Sequence, residues 1–483
     1  MPESLDSQVR RATKWSAITE IAAKLVSPIV SIVLARLLTP EAFGIVATLA
    51  MVISFAEVFT DAGFQKYLIQ HDFKDDDDKY ESTDIAFWSN LGMSLLIWAL
   101  IAVFSAPIAA LVGNPGLGGV LVIACVSIPL AAFSSIQTAL YKRDLDFKTI
   151  FKVKFVAMLI PLVVTVPLAL ALRSFWALVI GTIIQNLSNA VLLSWYSKWK
   201  PRLRYSFAKL KEMLSFTLWS ILESVSVWLT GYVDVFLVGR ALGEHYLGLY
   251  KNSSTLVGQI MGLVTAATTP VLFSSLSRLQ NDGKAFREFF LRFQKNVGLL
   301  VIPMGVGIWC YGDFITSLLL GSQWTEAAGF IGLWGLMSAL TIVLAHYSTE
   351  AFRAIGRPKL SVLAQVLYFA ALVPTVLIAL RYDFRTLYTA RSLVRLEIVL
   401  VNLIIMYAVV RISPWKMIGN IFPSLAASAV MAAFAFVARP LTGGGVAAEL
   451  LTILACVAVY FGLLMIFPKE RAAVLGFFRK KND

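Results

Sequence analysis

Charge is scarce in this chain: Asp, Glu, Lys and Arg make up 15% of its 483 residues, where a soluble domain carries about 25%. The deficit excludes a soluble fold before any motif is read, because soluble helices must turn polar faces to water and long stretches here have none. Cysteine is equally sparse. Cys125, Cys310 and Cys456 each lie inside an apolar run with no CxxC pair, so neither a disulfide framework nor a structural zinc site is expected. His71, His245 and His346 are scattered too widely for metal-ligand spacing, and no metal or other cofactor is expected. Connections between apolar runs stay below about 25 residues, well short of a domain. That excludes a separate soluble catalytic domain, and the chain does not read as an enzyme.

Apolar length is what the chain has in abundance: 58% of residues are hydrophobic and the mean hydropathy is +0.76. Fourteen runs stand out, near residues 15–38, 43–66, 85–111, 119–141, 150–171, 175–196, 214–239, 246–272, 297–319, 327–349, 360–380, 391–410, 420–438 and 446–467. Most are near the roughly 20 residues that cross about 30 Å of hydrocarbon as a helix. The expected fold is therefore an all-α, polytopic membrane protein of about 14 transmembrane helices. The first run follows a polar Met1–Lys14, contains Glu20 and Lys24 and lacks a small-residue cleavage site, so it reads as a membrane helix and not a signal peptide.

The net charge of +13 has an ordinary membrane explanation. Twenty-nine Lys and Arg residues lie before the first span, after even-numbered spans and at the C-terminus, against five in the other connections. That bias places both termini in the cytoplasm of a bacterial inner membrane, facing anionic phospholipids. Trp15, Trp195, Trp199, Trp415, Trp176 and Trp324 fall at span borders, where amphipathic rings settle. No basic stretch is interleaved with aromatics, so nucleic acid is excluded as a partner.

The basic stretch 197–213 reads as a linker and hinge between an N-terminal six-helix bundle (1–196) and a C-terminal one (214–410), with two accessory helices and a cytoplasmic tail in 411–483. A faint repeat agrees. Arg36-Leu37-Leu38 with Gly44 matches Arg240-Ala241-Leu242 with Gly248 at an offset of 204 residues. The offset covers six spans, an even number, so the halves are parallel repeats about an axis along the membrane normal.

Ionisable residues inside spans face a cavity or a partner by default. Glu20, Lys24, Ser27 and Ser31 share one face of the first span, and Ser54, Glu57 and Asp61 one face of the second. Ser220, Glu223, Thr230 and Asp234 form a stripe on the seventh, and Lys251 opens the eighth beside Asn252, Ser253 and Ser254. Polar faces on equivalent spans of the two halves predict one hydrophilic lumen. Glu20 and Lys24 could also neutralise each other, and Arg36, Arg240 and Lys66 could snorkel from span ends. Arg381, Arg385, Arg391 and Arg395 make the outer end cationic, which suits an anionic ligand or lipid headgroups equally. Asp75-Asp76-Asp77-Asp78-Lys79 reads as a solvated charged face.

Four segments carry a resemblance. Ala35-Arg36-Leu37-Leu38-Thr39-Pro40-Glu41-Ala42-Phe43-Gly44 resembles the signature after the first helix of bacterial Wzx-type polysaccharide flippases, within the multidrug/oligosaccharidyl-lipid/polysaccharide exporter superfamily. Tyr141-Lys142-Arg143-Asp144-Leu145-Asp146-Phe147-Lys148, Ser274-Ser275-Leu276-Ser277-Arg278-Leu279-Gln280 and Gly356-Arg357-Pro358-Lys359 are similar to the same family in order and placement. The resemblance implies two six-helix bundles plus accessory helices, and a substrate of undecaprenyl-pyrophosphate carrying an oligosaccharide repeat unit for exopolysaccharide, capsule or lipopolysaccharide. On that basis Lys24, Arg36, Arg240 and Lys251 are candidate lumen cations for pyrophosphate. Glu20, Glu57, Asp61, Glu223 and Asp234 are candidates for coupling to H+ or Na+ or for gating. The polysaccharide polymerase machinery is an expected partner. A multidrug or cation antiporter of the same superfamily is the alternative; it would want an acidic lumen. A lipid-glycan polymerase or ligase would want a sizeable periplasmic loop, and a scaffold would leave the intramembrane charges unexplained.

Overall fold

The computed structural model describes residues 5–61, 63–441, 444–467 and 471, with the side chains of 5–10, 61 and 214–223 left aside. The expected cytoplasmic tail lies, apart from Arg471, outside the described residues. Among the described residues the chain is helical, with no strand. In order, the helices are α1 (Leu5–Leu37), α2 (Pro40–Asp61), α3 (Phe64–Gln70), α4 (Asp76–Val103), α5 (Ser105–Leu111), α6 (Gly118–Ala124), α7 (Ser127–Arg143), α8 (Phe147–Ile160), α9 (Val166–Leu172), α10 (Trp176–Tyr196) and α11 (Phe207–Arg278). They continue as α12 (Gly283–Cys310), α13 (Gly312–Leu319), α14 (Ala328–Thr341), α15 (Tyr347–Ala354), α16 (Lys359–Ala379), α17 (Phe384–Leu393), α18 (Arg395–Ile405), α19 (Pro414–Leu441) and α20 (Val446–Leu464).

Thirteen helical stretches are long and apolar enough to cross a membrane, and one of them, Ser224–Arg278, has 55 residues. It belongs to α11, which cannot be one rod. Gly243 breaks its helical torsions at φ 78° and ψ −176°, a region only glycine enters without strain. Tyr250 Oη donates to Asp234 Oδ2 at 2.6 Å, although sixteen residues of straight helix would separate them by roughly 24 Å. The chain therefore reverses at Gly243, dividing α11 into two limbs, and about fourteen crossings result.

Sequence chemistry explains where several helices begin. Asp75, Asp146, Asp282 and Asp383 each accept a hydrogen bond from a backbone N–H in the first turn of the helix they precede, filling donors the helix leaves open. Pro40 opens α2, where its missing N–H costs nothing. Three of the four family-like segments are such junctions. The second holds Leu145 at φ 56° ahead of the Asp146 cap, and the fourth holds Gly356 at φ 72° ahead of α16.

The chain forms two compact units, Met1–Lys251 and Asn252–Asp483. In the first, Phe64, Leu68, Ile85, Phe87 and Ile136 of α3, α4 and α7 close over Trp199 and Met213. In the second, α12 and α13 pack against α19 and α20 through Leu299, Phe314, Met431, Ala435, Cys456 and Tyr460. Arg439 of α19 secures that cluster. It donates to both oxygens of Glu449 at 2.9 Å, to Asp313 at 2.9 Å and to the Cys310 carbonyl at 2.7 Å. The accessory helices are thus integral to the second unit. Cys125, Cys310 and Cys456 are buried free thiols.

One local expectation changes. The stretch 197–213 is non-helical only to residue 206, because α11 begins at Phe207, and it is strapped to its own unit. Arg204 Nη1 meets Asp77 Oδ1 at 2.9 Å; Lys209 Nζ meets Asp78 Oδ1 at 2.7 Å and Glu81 Oε2 at 2.5 Å. Trp199 Nε1 and the Arg202 N–H donate to Asp84 Oδ1 at 3.0 and 3.1 Å. Burial would pull the Lys209 ammonium down; its hydrogen bonds to Asp78 and Glu81 outweigh that and hold it above the ordinary lysine value. The acidic run at 75–78 is mostly exposed, as expected of a solvated charged face, and forms the cap and first turn of α4.

Candidate functional site

The candidate lumen cations and the coupling or gating candidates all fall in the first unit, on α1, α2 and the two limbs of α11. On α1, Glu20 is exposed and Lys24 half-buried, and among the described residues no ion pair joins them. Arg36 lies exposed in the last turn of α1. Glu57 is half-buried on α2. Asp61 ends α2 and Glu223 belongs to the first limb of α11, but both side chains lie outside those described.

The reversal of α11 brings two of the expected residues into one neighbourhood. Asp234, 6% exposed, accepts from Tyr250 and from the Val235 N–H at 2.8 Å. One residue on, Lys251 places its Nζ 5.2 Å from the centre of the Tyr232 ring, a cation–π contact. Trp228 stacks on Tyr232 with ring centres 5.6 Å apart, and its Nε1 donates to Ser54 Oγ of α2 at 3.0 Å. Ser54, from the expected polar face of α2, thus meets the first limb of α11 through an aromatic pair that hydropathy gave no reason to single out. Beside them is an apolar cavity of about 540 Å³ between α2, α4, α5 and the first limb of α11, lined by Phe55, Phe59, Ile97, Phe104 and Trp228 among others.

Arg240 stands at the far end of the first limb, exposed, with Nη1 3.3 Å from the Leu111 carbonyl. Next to it the backbone is packed without room for side chains. A Cβ on Gly113, at φ 88°, would lie 2.6 Å from the Gly239 carbonyl oxygen. A Cβ on Gly44 would lie 1.8 Å from the Glu244 carbonyl oxygen, and one on Gly248 would lie 1.8 Å from that of Pro40. Asn114, buried, donates to Thr48 at 3.3 Å. Across the same contact His245 Nδ1 and Glu41 Oε1 are 2.5 Å apart. Sequence reasoning singled out neither member of this pair, although the 204-residue repeat aligns them.

Chemically, the first unit carries cations that are exposed or half-buried within or at the ends of apolar spans. Such groups can exchange their present contacts for anionic oxygens. Residues 33–329 match the family described as polysaccharide biosynthesis protein. The chain belongs to that family. This polysaccharide biosynthesis protein is 25% identical to the succinoglycan biosynthesis transport protein ExoT of Rhizobium meliloti (strain 1021), over 69% of this chain and 66% of that one. It is 22% identical to the lipopolysaccharide biosynthesis protein WzxC of Escherichia coli (strain K12), over 67% of this chain and 65% of that one. The matches thus span about two thirds of the length of these two relatives. Its fold is that of the lipid II flippase MurJ in an inward closed conformation, with a TM-score of 0.75 at 16% identity over 95% of this chain and 100% of that one. The Wzx-type resemblance is thereby borne out in family and fold, and the chain is a multi-pass membrane protein.

Proposed function

We propose that this polysaccharide biosynthesis protein is a flippase that moves a lipid-linked oligosaccharide from one leaflet of the bacterial inner membrane to the other, with undecaprenyl-pyrophosphate as the carrier. The observation that carries the proposal is the set of charges on α1, α2 and α11 within a family whose relatives bear transport and polysaccharide-assembly names. A pyrophosphate and its sugars cannot cross hydrocarbon unpaired. Lys24, Arg36, Arg240 and Lys251 offer charge-assisted hydrogen bonds along the way, while the polyprenyl tail stays in lipid. The substrate would pass by rocking of two parallel six-helix repeats, 1–196 and 214–410. Glu20, Glu57, Asp61, Glu223 and Asp234 would serve coupling to H+ or Na+, or gating. Both termini would be cytoplasmic, and the polymerase machinery would take the product.

The test is flipping of a fluorescent lipid-linked oligosaccharide in proteoliposomes, comparing wild type with Arg36→Ala/Arg240→Ala. Losing two charge-assisted contacts should slow flipping about tenfold or more at equal insertion. Unchanged flipping in the double variant would remove the cationic-path mechanism. Failure of wild type to move any polyprenyl-linked glycan, with transport of a cationic dye, would favour a multidrug antiporter instead.

A further inference from the structure

The contact between the start of α2 and the start of the second limb of α11 has a local two-fold character. An offset of 204 residues maps Pro40 onto Glu244, Glu41 onto His245 and Gly44 onto Gly248. In space, Gly44 abuts the backbone of Glu244, and Gly248 abuts the backbone of Pro40 at the same 1.8 Å for an added Cβ. Equivalent residues therefore meet reciprocally, the signature of an isologous contact. On the axis of that contact, Glu41 pairs with its own repeat equivalent, His245, at 2.5 Å. Both side chains remain about two-fifths exposed, at 44% and 36%.

Two features distinguish this contact from ordinary helix packing. The backbones touch with no side chain between them, so nothing as large as a sugar passes here unless the two helix starts separate. A half-exposed polar pair, Glu41 with His245, also crosses the contact, and such a pair can break and be rehydrated at little cost, unlike a buried apolar seam. Arg36, Arg240 and Glu244 are the other charged groups at these helix ends.

We infer that Glu41 and His245 form the latch of a gate whose sealing surfaces are Gly44 and Gly248, and that this latch parts in each transport cycle. The inference rests on the transporter proposal, but its first test needs no substrate, so failure of the substrate assignment and failure of the latch are distinguishable. Spin labels at the exposed positions Thr39 and Ala241, introduced as Thr39→Cys and Ala241→Cys with the three buried native cysteines replaced by alanine, report the separation by pulsed electron resonance on the full chain in nanodiscs. Glu41→Lys sets two basic groups against each other and should raise the long-distance population several-fold. Adding His245→Glu restores an opposite-charge pair and should return the short distance. One unchanged short distance in all three proteins would overturn the latch. The second test is reversible. Glu41→Cys/His245→Cys bridged by a short bis-methanethiosulfonate should stop the transport that the same variant shows unbridged, and reductant should restore it. Full transport with the bridge in place would show that the contact never opens.

Discussion

The two ends of the first unit are held by opposite physics. At one end α4, the 197–206 stretch and the start of α11 are joined by side-chain ion pairs: Arg204 to Asp77, and Lys209 to Asp78 and Glu81. The partners are exposed or half-buried at the surface, so each pair contributes little and salt weakens it. At the other end α2 and the second limb of α11 meet backbone to backbone at Gly44 and Gly248. That contact tolerates no added atom, and a polar pair bridges it. The comparison separates two ways of joining elements. A strap of many weak charges survives substitution and holds two segments together through small motions. A glycine seam is closed or open, with nothing between, which suits a surface that must separate cleanly.

The comparison breaks first at the seam. Gly44→Val or Gly248→Val places branched carbons where a Cβ alone would overlap a carbonyl oxygen, and the helices must move apart. Destabilisation of about 3 kcal/mol or more is expected, read as loss of monodisperse protein and a lowered thermal midpoint. A valine variant with wild-type stability would show that the seam is already loose. An intermediate effect is expected at Arg143, in the second family-like segment. Its Nη1 donates to the carbonyls of Leu68 (2.9 Å), Ile69 (3.3 Å) and His71 (2.7 Å) at the C-terminus of α3, and its guanidinium lies 4.6 Å from the Phe73 ring centre. Arg143→Ala should cost about 2 kcal/mol. Arg143→Lys should recover only part of it, because an ammonium lacks the planar fork. Full rescue by lysine would mean that charge alone holds α3.

Much of this architecture was legible in the sequence, for a reason specific to lipid. A backbone crossing hydrocarbon must satisfy its own hydrogen bonds, so apolar length translates directly into helices. The reversal at Gly243 was legible because Arg240 ended one run and Gly248 opened the next. The site was legible only in part. Asp234 and Lys251 were found through their cost in a span, and the structure gives each a defined partner in Tyr250 and Tyr232. Glu41 gives no such signal, because an acid in the first turn of a helix has an ordinary explanation in the helix dipole. His245 gives none either, because a lone histidine near a span end carries no pattern. Only their shared repeat position joins them, and that becomes meaningful once Gly44 and Gly248 are seen to touch. The docking of 197–206 was hidden for a different reason. Its lysines and arginines match the positive-inside trend, and nothing in their spacing shows that Asp77, Asp78, Asp84 and Glu81 lie opposite.

The strap should yield the smallest effect. Lys209→Ala removes two ion pairs at once, yet both partners can return to water, so the loss should stay below about 1 kcal/mol. It should shrink further in high salt, since the pairs lie within reach of mobile ions. Thermal unfolding of Lys209→Ala and wild type at low and high ionic strength checks this: the gap between them should narrow as salt rises. A gap that exceeds that of Arg143→Ala, or that ignores salt, would mean the strap is stiffened by Trp199 and Asp84 beneath it. In that case the charges serve to position a buried contact, and the contrast between the two ends would lie in their geometry alone.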